Sequence, residues 1–199
     1  MLLLKICGIT RPQDAAAAEA AGADFVGMIF VPGSPRCIDF ETARRIAAAA
    51  PRCRKVCVVR DLPLPELRRL IAEVRPDAVQ LHGAETPEYA GGAAAFGTEL
   101  WKAVNLDSEP ALAAALDFPA AMIVADSGGG TGRPCRWDLA EKLARRRPTM
   151  LAGGLHAENL REAVRAVRPA GVDISSGAES APGIKDLHKL QQITERIRS

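Results

Sequence analysis

Short apolar runs alternate with helix-forming segments along the whole chain. Each run is bounded by glycine, proline, aspartate or serine, and its length is typical of a strand that is buried on both faces. The sequence predicts eight strands, which are Leu2–Cys7, Phe25–Ile29, Lys55–Val59, Asp77–His82, Glu99–Val104, Ala121–Asp126, Thr149–Ala152 and Gly171–Ser175.

A helix is predicted after each strand. Asp39 stands directly before the second helix, where its side chain can cap the first turn, whereas Gly91 and Gly92 weaken the fourth helix. The predicted helices are Pro12–Ala21, Phe40–Ala50, Pro65–Val74, Pro87–Phe96, Pro110–Leu116, Trp137–Arg147, Asn159–Val167 and Lys185–Ile197.

This alternation predicts an α/β fold, a (β/α)8 TIM barrel that forms a single domain over residues 1–199. The length lies at the lower limit for such a barrel, so its loops are expected to be short. A doubly wound open sheet has the same alternation of strands and helices and is the structural alternative.

Composition excludes several classes of function. The formal net charge is only +2, and the arginines are scattered, so we expect neither a nucleic-acid nor a membrane partner. No apolar run is long enough to cross a bilayer, and the N-terminus has no basic region of the kind that opens a signal peptide. An odd number of cysteines without such a signal predicts reduced thiols in the cytoplasm. The cysteines are Cys7, Cys37, Cys53, Cys57 and Cys135.

Cys53 and Cys57 are interpreted as packing residues on one side of a strand. No second cysteine or histidine pair accompanies them, so a metal site is not expected there.

Polar side chains end several of the predicted strands. In a barrel of this type the carboxyl ends of the strands build the active site. Each residue taken alone is as consistent with a turn or a cap, but together they predict a reactive site. The residues are Cys7, His82, Asp126, Asp173 and Ser175.

Cys7 has a lysine two positions before it on the first strand. Alternate residues of a strand share a face, and a nearby ammonium favours the reactive thiolate form of cysteine. A small buried packing residue is the simpler reading of Cys7 alone. Lys5 is equally consistent with an ion pair to Asp126 or Asp173.

Glycines follow the last three strands. Bare backbone lets N–H groups approach an anion closely, and barrels often bind phosphate with the loops after strands seven and eight. The segments are Gly128–Gly132, Gly153-Gly154 and Ser175–Gly177. They predict a phosphorylated small-molecule substrate.

The motifs together resemble those of the phosphoribosylanthranilate isomerase family. They occur in family order over nearly the whole chain, as Lys5-Ile6-Cys7-Gly8-Ile9-Thr10, Ser34-Pro35-Arg36, Val79-Gln80-Leu81-His82-Gly83, Asp126 with Gly130-Thr131-Gly132, Ala152-Gly153-Gly154-Leu155, Asp173-Ile174-Ser175-Ser176-Gly177-Ala178-Glu179 and Gly183-Ile184-Lys185-Asp186.

The resemblance implies a (β/α)8 barrel that carries out an Amadori rearrangement in tryptophan biosynthesis, without a metal or redox cofactor. It implies Cys7 as general base and Asp126 as general acid. It also implies a substrate-binding set, with Arg36 on a carboxylate, Gly153, Gly154, Ser176 and Gly177 on the phosphate, and His82 and Asp173 along the pocket. Members of the family are monomers or homodimers.

Two other functions fit part of the pattern. A catalytically silent phosphate-binding barrel would keep the glycine loops but would have no use for Cys7 with Asp126. A histidine-pathway sugar isomerase uses two aspartates, against which the cysteine at position 7 argues. The third strand also departs from the family, since it ends in Arg60-Asp61 where many members have Val-Asn.

Overall fold

In a computed structural model, which describes residues 2–126 and 136–198, eight parallel strands close into a barrel. The last strand pairs with the first, so that Lys5 lies beside Asp173, and this pairing excludes the open-sheet alternative. The predicted TIM barrel is therefore confirmed. The strands are β1 Leu3–Ile6, β2 Phe25–Ile29, β3 Arg54–Val59, β4 Ala78–Leu81, β5 Glu99–Asn105, β6 Met122–Asp126, β7 Thr149–Leu151 and β8 Gly171–Ile174.

Helices cover the outside of the barrel. Asp39 caps α2 as predicted, because its carboxylate accepts from the backbone N–H of Thr42. Gly91 and Gly92 lie inside α4 without breaking it. The helices are α1 Pro12–Ala21, α2 Phe40–Ala49, α3 Leu64–Val74, α4 Pro87–Ala94, α5 Glu109–Asp117, α6 Trp137–Ala144, α7 Leu160–Val167 and α8 Leu187–Arg198. Within the described ranges, none is both long and apolar enough to span a membrane.

The alternation of side chains along the strands separates two cores. Outward-facing residues pack against the helices, and Cys53 and Cys57 belong to this outer core, as predicted. Inward-facing residues fill the lower barrel, where the rings of Phe25 and Trp101 meet edge to face at 5.0 Å. The inner core closes the barrel from below and leaves its carboxyl end open for a site.

The chain between β8 and α8 differs from the prediction. A short hairpin, β9 Glu179–Ala181 with β10 Ile184–Lys185, follows a 3-10 turn at Ser176–Ala178. The predicted start of the last helix at Lys185 is wrong, because the carboxylate of Asp186 accepts from the backbone N–H groups of His188 and Lys189 and so caps the helix two residues later.

Candidate active site

A cavity of about 610 Å³ opens at the carboxyl ends of the strands. It is the expected position for a TIM-barrel active site. Most of the predicted site residues line it, namely Cys7, Arg36, His82, Asp126, Gly153, Gly154, Asp173 and Ser176. Gly177 does not line it but packs against the backbone of Leu155, since a Cβ at that position would lie 2.0 Å from the carbonyl oxygen of Leu155.

Cys7 follows directly on β1, and its side chain sits against the backbone of β2. Its N–H donates to the carbonyl of Ile174 at 2.9 Å. The thiol occupies the space that a side chain at Gly27 would take, because a Cβ there would lie 2.8 Å from Sγ. Only 7% of Cys7 is exposed, so a reagent or substrate reaches the thiol through the cavity alone.

Lys5 lies beneath Cys7 inside the barrel and pairs with Asp173, with 2.6 Å between Nζ and Oδ2. Of the two partners left open by the sequence, the β1–β8 register selects Asp173. Burial lowers the pKa of Lys5, but the charge of Asp173 and a smaller interaction with Cys7 outweigh it, so that the pKa lies above its usual value. Lys5 is therefore a fixed positive charge in the barrel.

The thiol of Cys7 is not ionised by this neighbour alone. Burial raises its pKa above the ordinary value, Lys5 and Lys185 lower it, and Asp173 raises it again. Because burial has the largest effect, the pKa of Cys7 lies above its ordinary value despite the two lysines. Lys5 therefore favours the thiolate, as predicted, but burial outweighs this effect.

The buried carboxylate of Glu179 binds both Arg36 and Lys185 close to Cys7. Glu179 on the hairpin accepts from Nε and Nη2 of Arg36 at 2.9 and 2.6 Å, and from Nζ of Lys185 at 2.8 Å. Lys185 also donates to the carbonyl oxygens of Cys7 and Ser175 at 2.6 and 3.3 Å. One carboxylate therefore links the predicted carboxylate-binding arginine to the backbone of the predicted base.

The glycine after Cys7 makes room for Arg36. Gly8 has a φ of +73°, and a Cβ on it would lie 2.6 Å from Cδ of Arg36. A side chain at position 8 would therefore suffer both backbone strain and a clash.

The acid side of the cavity is formed by β4 and β6. Asp126 ends β6 and is 8% exposed, and its Oδ2 lies 3.3 Å from Nε2 of His82. The other ring nitrogen, Nδ1, lies 3.2 Å from the amide nitrogen of Gln80. Gln80 and His82 are two residues apart on the chain, and both line the cavity.

The two predicted phosphate loops lie side by side at the ends of β7 and β8. Gly153 and Gly154 both adopt positive φ, 84° and 59°, which glycine reaches without strain. Leu155 and Ser176 line the cavity beside them. The third predicted glycine segment, Gly128–Gly132, lies outside the described residues.

Four polar residues of the site were not predicted individually. Glu179 and Lys185 lie in motifs recognised in the sequence but had no assigned role. Gln80 shares the inward face with His82. Arg60 directly follows β3 at the rim of the cavity and forms no hydrogen bond or ion pair with any other described residue. The alternation of side chains along a strand could have identified Gln80 and Arg60, since each lies two positions after a residue that faces into the barrel.

Known proteins match this chain over nearly its full length. The family model described as N-(5'phosphoribosyl)anthranilate (PRA) isomerase matches residues 4–196. N-(5'-phosphoribosyl)anthranilate isomerase of Acidithiobacillus ferrooxidans is 39% identical and covers 100% of this chain and 98% of its own. The crystal structure of phosphoribosyl anthranilate isomerase from Thermus thermophilus is 40% identical over 99% of this chain and 98% of its own, with a TM-score of 0.91.

A second structure carries a ligand. It is a phosphoribosyl anthranilate isomerase in complex with reduced 1-(o-carboxyphenylamino)-1-deoxyribulose 5-phosphate, with 35% identity, a TM-score of 0.90, and coverage of 100% of this chain and 99% of its own. Since family model, relatives and solved structures agree from end to end, this chain belongs to the N-(5'-phosphoribosyl)anthranilate isomerase family.

Proposed function

We propose that this chain converts N-(5-phosphoribosyl)anthranilate to 1-(2-carboxyphenylamino)-1-deoxyribulose 5-phosphate, the third step of tryptophan biosynthesis from chorismate. Cys7 is the general base and Asp126 the general acid. The observation that carries the proposal is that a thiol and a carboxyl group, from β1 and β6, line one cavity. The chain acts as a single barrel domain in the cytoplasm, and its state as monomer or homodimer stays a prediction.

The first step opens the furanose ring. Asp126 transfers its proton to the ring oxygen, the bond from that oxygen to C1 breaks, and the nitrogen lone pair forms a C=N bond to C1. A carboxyl group suits this role when it is held away from water, and Asp126 follows the apolar run Ile123-Val124-Ala125 and is 8% exposed.

The second step removes the proton from C2 of the opened sugar. The Cys7 thiolate takes this proton, the electrons of the C–H bond form the C1=C2 bond of an enolamine, and the electrons of the C=N bond return to nitrogen. The enolamine then gains a proton at C1 and loses the proton of its C2 hydroxyl, which gives the ketone. Thiolate is the form of cysteine that accepts a proton. Lys5 and Lys185 place positive charge near Cys7, which lowers the pKa of the thiol and partly offsets the rise that burial causes.

The remaining groups hold the substrate. Arg36 binds the anthranilate carboxylate with its guanidinium, whose orientation Glu179 fixes. The segments Gly153-Gly154 and Ser176-Gly177 bind the phosphate at the opposite end. Ser176 lines the cavity there, and Gly177 allows this segment to pack closely on Leu155. His82 and Asp173 line the space between them.

A fluorescence assay tests the proposal. Freshly prepared phosphoribosylanthranilate is fluorescent, and its emission should fall when the protein is added, faster than the spontaneous decay measured in buffer. The Cys7→Ser variant serves as the matched control, because it keeps the cavity but lacks the base. A decay no faster than in buffer would favour a silent phosphate-binding barrel.

A further inference from the structure

Three polar side chains form a continuous row from inside the barrel to the proton donor. The amide nitrogen of Gln80 lies 3.2 Å from Nδ1 of His82, and Nε2 of His82 lies 3.3 Å from Oδ2 of Asp126. A neutral imidazole carries one proton, so one of its nitrogens donates and the other accepts. If the Gln80 amide donates to Nδ1, Nε2 of His82 therefore donates to Asp126. If the amide accepts from Nδ1, Nε2 accepts from Asp126.

The two orientations of the Gln80 amide have opposite consequences. In the orientation found, the amide N–H donates to Nδ1, the ring proton sits on Nε2, and the ring donates to Asp126. This arrangement stabilises an ionised carboxylate, which is the state after proton delivery. If the amide turns over, its oxygen accepts from Nδ1–H, and Nε2 becomes an acceptor for a protonated Asp126.

The proton count of the two states balances. The state with protonated Asp126 holds one proton on the carboxyl group and one on Nδ1, and the other state holds one proton on Nε2. The proton that leaves is the one transferred to the ring oxygen of the substrate. The ring proton changes nitrogen by exchange with water, which reaches His82 because 25% of its side chain is exposed.

The fold leaves the orientation of this amide open. Gln80 is 1% exposed, yet its Oε1 has no hydrogen-bond partner among the described residues. A buried acceptor without a partner is costly, and no hydrogen bond to this oxygen from another described residue fixes the orientation of the amide. The charged or ionisable groups Cys7, Arg36, Arg60 and Asp173 line the same cavity, but none of them binds this oxygen.

We propose that Gln80 is a positioning residue for the acid of this reaction, because its amide determines which nitrogen of His82 carries the proton and hence whether the ring donates to Asp126 or accepts from it. The inference rests on the proposed function in that Asp126 is taken as the acid. It adds a residue that does not touch the reacting atoms.

Nitrogen-15 NMR of the histidine rings is the direct test, and it needs no turnover. The chain has only three histidines, so a His82→Asn variant assigns the His82 signals. The wild-type protein is expected to show the Nε2–H pattern. Gln80→Met, which removes the amide, should shift the ring toward a mixture of tautomers. Gln80→Glu, which only accepts when ionised, should shift it toward Nδ1–H or the doubly protonated ring. His156, which pairs with Glu158 at 3.2 Å, is the internal control and should not change.

Steady-state kinetics supplies the second readout. Gln80→Met should lower kcat about tenfold and change KM by less than about threefold, because the loss concerns proton transfer rather than binding. An unchanged His82 tautomer in whichever Gln80 variants fold, or a wild-type kcat for Gln80→Met, would overturn the proposal. If the wild-type protein does not turn over phosphoribosylanthranilate, the proposed function fails, while the tautomer measurement still decides the coupling of Gln80 to His82.

Discussion

The two sides of the cavity hold their reacting groups in different ways. On the base side, formed by β1, β2 and β8, Cys7 is surrounded by the buried pair of Lys5 with Asp173 and by the network of Glu179. On the acid side, formed by β4 and β6, Asp126 contacts the partly exposed ring of His82. The base is thus enclosed by fixed charges, whereas the acid lies next to an imidazole ring whose proton can be on either nitrogen.

Each side of the cavity suits one of the two proton transfers of the proposed reaction. Buried ion pairs contribute little net stability, because removing two charges from water offsets their attraction. Their value on the base side is positional, since they fix positive charge where a thiolate forms. The acid side needs the opposite property, because its carboxyl group must carry a proton before the reaction and lose it afterwards.

Replacement of the base should have the largest effect. Cys7→Ser removes the ionisable thiol and fits the same space over Gly27, so we expect kcat to fall about a thousandfold with little change in thermal stability, in line with general-base catalysis. Steady-state fluorescence and thermal unfolding by circular dichroism are the measurements. Near-normal turnover would show that another group removes the C2 proton.

Replacement of the acid should have a smaller effect. Asp126→Asn keeps the shape and the contact with His82 but cannot deliver a proton, and we expect kcat to fall about a hundredfold. The loss is expected to be smaller than for the base because the nitrogen lone pair of the substrate also drives ring opening, whereas removal of the C2 proton depends on the base. A kcat within twofold of wild type would remove Asp126 from its assigned role.

Loss of Glu179 should affect binding more than chemistry. Glu179→Gln leaves Arg36 without an ionised partner for its Nε and Nη2 groups, so we expect KM to rise about tenfold, and Arg36→Ala to raise it further. Glu85→Gln is the matched control, because Glu85 forms a buried pair with Lys102 at 2.7 Å and does not line the cavity. An equal rise in KM in both variants would mean that Glu179 only stabilises the fold.

The titration of Cys7 should respond to its two charged neighbours in opposite directions. Lys5→Met removes a charge that lowers the pKa of Cys7, and Asp173→Asn removes one that raises it. The midpoint of Cys7 alkylation by iodoacetamide against pH, followed by peptide mass spectrometry, should lie above that of an ordinary thiol in the wild type. It should move up in Lys5→Met and down in Asp173→Asn. Shifts in the same direction would contradict the assigned electrostatics.

The strands and most helices could be predicted because local pattern determines them. Apolar runs bounded by turn residues identified the strands, and Asp39 identified the start of α2 through its capping side chain. Strand parity also placed Lys5 and Cys7 together inside the barrel. Each of these inferences uses neighbours within a few residues, where sequence spacing fixes geometry.

The charge network could not be predicted because it depends on barrel closure. Lys5 had two candidate partners, and only the pairing of β1 with β8 brings Asp173 beside it. The hairpin that carries Glu179 and Lys185 has strands of three and two residues, too short to show a period, so Lys185 was placed in the following helix. Its contacts with Cys7 and Ser175 follow from tertiary structure alone.

Replacement of Arg60 should have the smallest effect on activity. It is an exposed cation at the rim of the cavity, directly after β3, free of hydrogen bonds and ion pairs to other described residues. Because β3 is adjacent to β2, it lies toward the Arg36 end of the cavity rather than the phosphate loops. An exposed charge attracts an anionic substrate weakly and in a salt-dependent way. Arg60→Gln should raise KM about two- to fourfold, leave kcat unchanged and reduce the salt dependence of kcat/KM. Arg68→Gln, an exposed arginine on α3 that does not line the cavity, should change neither. A larger rise in KM for Arg60→Gln than for Arg36→Ala would mean that Arg60 rather than Arg36 is the main binding group for the substrate carboxylate.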